Sequence, residues 1–265
     1  MTRREHAKLV RIDPPGQWCS HQAVYDAIVR CGGRTFLEVG CGAGRLSRWL
    51  CEHGLTGRAV DMSASAIAEA RRYLADFVRD GRVHVDHADV FSEHNGDGYD
   101  LVVSLMVMEH VQDDQAFARQ LAALANPGGH LIIGVPGRRD RWGIEDETVG
   151  HWRRYEREDL TRVLESAGLR NVEVWSVAVP VANLLFHAGN MFLRLGGEDA
   201  KKDTLSRQAQ TEHSGIREIP FKTMFPPVFR LVLNRYTMAP LFALQRLFYQ
   251  SNRGLTLIGF GERAA

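Results

Sequence analysis

The sequence predicts an α/β fold built on a doubly wound, largely parallel sheet with helices on both faces, interrupted late by a mainly helical insertion. Three observations predict it. Short apolar runs of strand character alternate with amphipathic runs of helical period up to about residue 178. A glycine-rich turn, EVGCGAG, joins one such strand to the helix after it. The alternation then stops between residues 180 and 253 and resumes only in GLTLIGFGER.

Taken in order, RTFLEV reads as a strand and GRLSRWLCEHG as the helix that follows it. GRAVD is the next strand, and Ser63 is placed to cap SASAIAEARRYLADFVRD, whose Ala66, Ala70, Leu74 and Phe77 or Val78 share one helical face. RVHVD and YDLVVSL are further strands. DDQAFARQLAALAN is a helix ended by NPGG (Asn126 to Gly129), and HLIIGVP is the strand after it. A polar loop to about Tyr155 leads into the helix EREDLTRVLESAG and the strand NVEVWSVAV. Two units are expected: residues 1–179 with 254–265 as the main domain, and 180–253 as an inserted cap or lid.

Composition removes several function classes. With 33 Lys plus Arg against 32 Asp plus Glu, the chain has no global charge that would favour nucleic acid. The N-terminus MTRREHAKLVRIDPPG has no apolar signal core, and no window approaches the roughly 20 apolar residues of a membrane span, so a cytoplasmic protein is expected. Cys19, Cys31, Cys41 and Cys51 form no CxxC pair and no Cys/His set at zinc spacing; they read as reduced thiols.

The glycines at 40, 42 and 44 sit where the first strand of the alternating region turns into its helix. In a doubly wound sheet that turn brings backbone amides against a nucleotide-like ligand, where a Cβ would obstruct the approach. The spacing is GxGxG, with Arg45 where the third glycine of a dinucleotide fingerprint would fall, which disfavours a dinucleotide. Asp61, at the end of the next strand, stands where a carboxylate meets ribose hydroxyls, and Asp89 in HADVF is placed to meet an adenine amino group.

The ordered set EVGCGAG, VD, AD and YDLVVSL resembles the class I S-adenosylmethionine-dependent methyltransferases over roughly residues 33–178 and 255–263. The resemblance implies a three-layer, Rossmann-like, seven-stranded sheet whose last strand runs antiparallel, with S-adenosyl-L-methionine lying over the carboxyl ends of its first strands. It also implies site roles. Glu38 would face the methionine amino end, and Gly40 and Gly42, with Cys41 in the same loop, would pass beneath the methionine moiety. Asp61 would hold the ribose and Met62 would pack on the adenine, whose edge Asp89 and Val90 would grip. Leu105, just after the fourth strand of that series, would also touch the cofactor.

The segment SLMVMEHVQD is similar to the MEHV or LEHV segment of the ubiquinone-biosynthesis O-methyltransferases and their relatives. Some of those carry ExxEH as a proposed metal site. Here Met106 stands in place of the first glutamate, so no metal is expected. Glu109 and His110 either reach a substrate or cap the following helix. An oxygen acceptor must lose a proton, and a neutral imidazole suits that task. His110 is therefore the first candidate base, followed by His151 and Tyr155 in GHWRRYERED.

Amino-group DNA methylation is disfavoured, because DPPG (Asp13 to Gly16) lies outside the strand end that would need it and reads as a turn. From Ile219 to Gly261 there is no Asp or Glu, while Lys222, Arg230, Arg235, Arg246 and Arg253 interleave with Phe and Tyr. Leu241, Leu244 and Phe248 read as one helical face with Leu247 beside it, and Gln245 and Arg246 lie elsewhere on the helix surface. This segment is expected to be core or lid, or else a lid for an apolar or anionic substrate, or a surface resting on an anionic membrane through 219–250. The polar stretch from Gly196 to Gly215 would be its hinge or loop. The expected activity is methylation of a small or lipid-like molecule, at oxygen first and nitrogen second; a non-catalytic, cofactor-binding scaffold is the reading from another class.

Overall fold

A computed structural model describes residues 10–92, 98–186 and 224–264. The expected hinge, Gly196 to Gly215, lies outside them, as do Phe221 and Lys222 of the acid-free segment.

DPPG is not an isolated turn. After β1 (Val10–Arg11), Pro14 caps and Pro15 opens a 17-residue helix, α1 (Pro15–Cys31). Proline suits that position because the first helical N–H has no intrahelical partner to lose. The alternating elements follow as β2 (Thr35–Val39), α2 (Arg45–Glu52), β3 (Thr56–Asp61), α3 (Ala64–Tyr73), α4 (Ala75–Arg79), β4 (Val83–His87), β5 (Tyr99–Leu105), α5 (Asp114–Leu124), β6 (Ala125–Pro136), α6 (Ile144–Val149), α7 (Arg157–Ser166) and β7 (Leu169–Val177). Late in the chain come β8 (Met224–Phe225), α8 (Phe229–Val232), α9 (Arg235–Arg246) and β9 (Thr256–Arg263). Ser63 does cap α3, accepting from the Ala66 amide at 3.3 Å. The predicted long helix breaks at Leu74, whose backbone leaves the helical region at ψ 10°. The helix before NPGG ends at Leu124, but NPGG itself belongs to β6.

Seven strands form one sheet in the order β4-β3-β2-β5-β6-β9-β7, with β9 antiparallel to both its neighbours. The register levels the carboxyl ends that matter. Val39 pairs with Val60 on one side and with Ser104 on the other, so the residues following β2, β3 and β5 emerge along one edge.

Two apolar layers hold this sheet between helices. Phe36, Leu101, Val103 and Ile132 pack with Ala23, Ala27, Leu50, Ile67 and Ala70 on one face. Leu37, Val102, Leu131 and Ile133 pack with Phe117, Leu121, Leu160 and Leu164 on the other. Neighbouring strand residues thus serve opposite layers, which is why these strands read as continuous apolar runs.

The inserted helix docks by a face that only partly matches the one expected: Leu241 packs on the cluster of Cys19, Ala178, Met238 and Phe242 and Phe248 is half-buried, but Leu244 is turned out. Met238, Phe242, Gln245 and Tyr249 are buried, whereas Leu244 is exposed and Leu247 is 81% exposed. Gln245, fully buried, accepts from the Ala178 amide at 3.0 Å and donates to the Cys19 carbonyl at 2.9 Å. One amide side chain therefore satisfies the backbone beyond β7 and the backbone of α1, a fit no leucine offers. Arg246 lies at the surface as expected, where both oxygens of Asp26 accept from it, and Tyr249 stacks on Trp175 at 4.4 Å. β1 pairs with β8, so the N-terminal segment and the insertion are joined.

Candidate active site

The loop after β2 crosses the carboxyl edge, and its three glycines do different work. All have positive φ, at 78° for Gly40, 51° for Gly42 and 77° for Gly44. A Cβ on Gly40 would lie 2.2 Å from Val107, and one on Gly44 would lie 2.7 Å from Leu74, so these two glycines permit packing. A Cβ on Gly42 would meet nothing within 4 Å. Gly42 is therefore the position where the loop's backbone faces open space, a cradle that a side chain would fill. Cys41, between them, is buried, and burial raises the pKa of its thiol.

The same loop is tied to β3. Gly40 and Cys41 donate their amides to the Val60 carbonyl at 2.8 and 3.0 Å, and Gly42 donates to Asp61 Oδ2 at 2.9 Å. Ser63 donates to Asp61 Oδ1 at 2.8 Å. Glu38, near the end of β2, is buried and accepts from the Ser47 amide at 2.9 Å at the start of α2. Burial pushes its carboxyl up to about 8, against the lowering effect of the Ser47 hydrogen bonds. Met62 is exposed beside this carboxylate edge, with His87 Nε2 at 2.8 Å from its carbonyl. Asp89 is half-buried and accepts from the Phe91 amide at 3.0 Å. The Val90 side chain is in the core and its carbonyl accepts from Gln120 at 3.1 Å, leaving only its main chain to meet a ligand. Leu105 is the last residue of β5 and packs on the core beside Gly134.

Beyond β5 the chain turns through Met106, a non-glycine residue at φ 57°, and a short 3-10 turn, Met108–His110. His110 donates its amide to the carbonyl of Val107, the residue against which Gly40 packs. The glycine loop thus packs on Val107, the residue that leads into the Met108–His110 turn.

His151 comes to this segment from the loop after α6. Its ring lies 4.7 Å from that of His110, edge to face, and the Trp152 amide donates to the Glu109 carbonyl at 2.8 Å. His151 Nδ1 is 2.8 Å from Asp146 Oδ1, which also accepts from Arg154 Nε at 2.8 Å. Its Nε2 is 3.8 Å from Glu109 Oε1. Burial pushes the Glu109 carboxyl up to about 7. Burial, and secondarily His151, pushes His110 down to about 4, so its imidazole is neutral near pH 7. Asp146 is held below the usual range: burial raises it, but the bonds from His151, Arg154 and Gly143 outweigh that.

The structure brings the rings of His110 and His151 together, and it sets Tyr155 in the core. Tyr155 lies in the apolar layer with Leu160 and Leu164, and its hydroxyl donates to Asp114 at 3.0 Å, which with burial raises its pKa. Asp146 and Arg154 are not legible in the sequence, because charges in IEDETV and WRRY carry no signal of burial; Glu109, expected with His110 to reach a substrate or cap the following helix, is buried in the short turn before α5. Glu109, His110 and His151 each offer one ligand atom, and these atoms lie within 4.8 Å of one another. The open backbone at Gly42, the Asp61 carboxylate and the buried Glu38 suit a ligand with a nucleoside and an amino acid portion.

Comparison with known proteins agrees with this architecture. The family model for the methyltransferase domain matches residues 16–174. The ubiquinone biosynthesis O-methyltransferase of Coxiella burnetii is 31% identical over 106 residues, covering 40% of this chain and 45% of that protein. The mitochondrial one of Schizosaccharomyces pombe is 32% identical over 107 residues, 40% of this chain and 39% of that protein. The chain thus spans less than half the length of these curated relatives. A phosphoethanolamine N-methyltransferase 2 from Haemonchus contortus, solved with phosphomonomethylethanolamine and S-adenosylhomocysteine, superposes with a TM-score of 0.57 at 16% identity, over 92% of this chain and 53% of that one. At that identity the superposition speaks for the fold alone. With the family model matching well over half of its length, and with the sheet order and glycine loop in place, the chain belongs to the class I S-adenosylmethionine-dependent methyltransferases.

Proposed function

We propose that this protein transfers a methyl group from S-adenosylmethionine to a hydroxyl of a small or lipid-like molecule. The observation that carries the reading is the packing of the glycine loop on Val107, whose carbonyl accepts from the His110 amide, with the rings of His110 and His151 4.7 Å apart: a cofactor cradle leading into paired imidazoles. The cofactor supplies an electrophilic methyl on a sulfonium, so the protein's task is largely positioning. Glu38 meets the amino end of the methionine portion, Gly40, Cys41 and Gly42 run beneath it, and Asp61 holds the ribose. Met62 covers the adenine, Asp89 and the Val90 main chain line its edge, and Leu105 closes the wall under the methionine portion. His110, with His151 behind it, accepts the hydrogen bond of the acceptor hydroxyl and receives its proton.

Oxygen is favoured over nitrogen by the paired imidazoles, and the ubiquinone O-methyltransferase relatives support the same acceptor atom. A lipid-like acceptor is supported by the insertion. Val228, Leu231, Val232, Tyr236 and Leu247 are exposed together with Arg230 and Arg235 in a segment without acids. Such a surface suits peripheral contact with an anionic bilayer. Among the described residues no helix is long and apolar enough to cross a membrane.

A screen of phenolic, alcohol, amine and lipid acceptors, read by mass spectrometry for one added methyl and by formation of S-adenosylhomocysteine, tests the reading. Methyl gain on a hydroxyl is expected, lost roughly 100-fold or more in His110→Ala with cofactor affinity kept. Methylation confined to amines would replace oxygen by nitrogen. Cofactor binding with no turnover on any class would turn the protein into a scaffold.

A further inference from the structure

Asp146 lies in α6 and is fully buried, and three donors converge on its carboxylate. Arg154 Nε donates to Oδ1 at 2.8 Å, the Gly143 amide donates to Oδ2 at 2.9 Å, and His151 Nδ1 lies 2.8 Å from Oδ1. A guanidinium and a backbone amide can only donate, so the carboxylate is held as an ionised acceptor and the imidazole nitrogen facing it donates too. The hydrogen of the His151 ring is therefore on Nδ1. Glu109 Oε1, the other carboxylate oxygen facing the ring, is 3.8 Å from Nε2, too far to claim that hydrogen. Further bonds fix the frame around the pair. His151 donates its amide to the Asp146 carbonyl at 2.9 Å, and Arg154 Nη1 donates to the Gly137 carbonyl at 3.0 Å. The ring so held is buried and stands edge to face against His110, with 4.7 Å between centroids.

We propose that Asp146, braced by Arg154, is the positioning residue of the methyl-acceptor side: it fixes His151 in the tautomer with its hydrogen on Nδ1 and seats that ring against His110, so that the base keeps one orientation. The proposal rests on reading His110 as the group that receives the acceptor's proton. With no exposed surface, Asp146 acts through His151 and not on the acceptor itself. An unheld neutral imidazole exchanges its hydrogen between two nitrogens and turns about its side-chain bonds, and either change would present His110 with a different edge. The sulfonium cofactor brings its own leaving group, so a fixed arrangement of the side chains around the acceptor is a large part of what the protein can add. Only a carboxylate offers two acceptor oxygens to three donors here. Asp146→Asn keeps the shape but has one oxygen. Either its amide nitrogen meets the Gly143 N–H, or it turns toward Arg154 and His151, whose hydrogen must then move to Nε2.

The test uses the full chain with isotope-labelled histidine and bound S-adenosylhomocysteine. Long-range proton–nitrogen correlation spectra near pH 7 report the tautomer, and the His151 signal is assigned by its loss in His151→Asn. Steady-state turnover is measured in parallel with catechol, or with the hydroxyl compound that the acceptor screen identifies. Wild-type His151 should show a protonated Nδ1 and a bare Nε2. Asp146→Asn should move the hydrogen to Nε2 and lower kcat roughly 100-fold or more, with acceptor KM and S-adenosylmethionine affinity within about threefold. Arg154→Lys keeps the cation but gives up the planar fork; it should retain the Nδ1 tautomer and lower kcat about 10-fold, and it carries the kinetic comparison if Asp146→Asn does not fold. A wild-type His151 with hydrogen on Nε2 or on both nitrogens, or a folded Asp146→Asn (failing that, Arg154→Lys) with kcat within about twofold of wild type, would overturn the positioning role and leave the methyltransferase reading intact. A wild-type protein that binds cofactor and shows the Nδ1 tautomer but methylates no hydroxyl would remove the reading of His110 as base, and the role of Asp146 with it.

Discussion

The Gly42 amide donates to Asp61 Oδ2 at 2.9 Å, and through this bond the loop after β2 and the end of β3 form one unit. The other oxygen accepts from the Ser63 amide, so the carboxylate is fixed in place and each oxygen keeps a lone pair for a further donor, the ribose hydroxyls under the proposed function. Asp61→Ala removes both. Charge-assisted hydrogen bonds of this kind are worth about 1.5–3 kcal/mol each, so S-adenosylmethionine affinity should fall at least tenfold by calorimetry. Undiminished affinity in a folded Asp61→Ala variant would detach this carboxylate from the cofactor.

The glycines should separate by stability and binding. Gly40→Ala drives a Cβ to within 2.2 Å of Val107 at φ 78°, and should lower the unfolding midpoint markedly. Gly42→Ala has open space around it and should cost only the left-handed backbone penalty, about 1–2 kcal/mol, while weakening cofactor binding more than tenfold. Thermal unfolding and calorimetry on the pair decide this. Equal binding losses per unit of lost stability would mean that Gly42 has no special place at the ligand.

Glu38 gives a pH dependence whose sign is fixed. Its carboxyl, pushed by burial up to about 8 from an ordinary 4.5, favours the protonated form in the folded chain. The native state then holds more protons than the unfolded one, so this group's contribution is complete below about pH 4.5 and is lost as pH rises through about 8. Urea unfolding across that window should show a fall in stability that is shallower in Glu38→Gln. Parallel curves for the two proteins would place the Glu38 carboxylate in a more hydrated setting than the one described.

Gln245 clips the insertion to α1 and to the chain beyond β7. Gln245→Leu, although more apolar, leaves the Ala178 amide and the Cys19 carbonyl without partners, and should destabilise by about 2–4 kcal/mol in urea unfolding. Leu247→Gln, at an 81% exposed position, should change stability by less than about 0.5 kcal/mol. The reverse ranking would mean that the leucine face docks.

The sequence by itself determined the βα alternation, the strand and turn that carry the glycines, and the strand end that carries Asp61. These signals are local: a period of two or 3.6, a φ that only glycine adopts easily, and a carboxylate one strand after a turn. It could not tell which of the three glycines faces open space, because that depends on Val107 and Leu74, side chains from distant elements. Tertiary structure also chose the buried face of α9, placing Gln245 against two backbone groups that need partners and leaving Leu244 and Leu247 outside. It took Tyr155 into the core and brought His151, with Asp146 and Arg154 behind it, to Glu109. Hydrogen bonding between loops and the desolvation of a carboxylate arise only when separate segments pack, so residues far apart in the chain give no sign of them until the sheet has set their places.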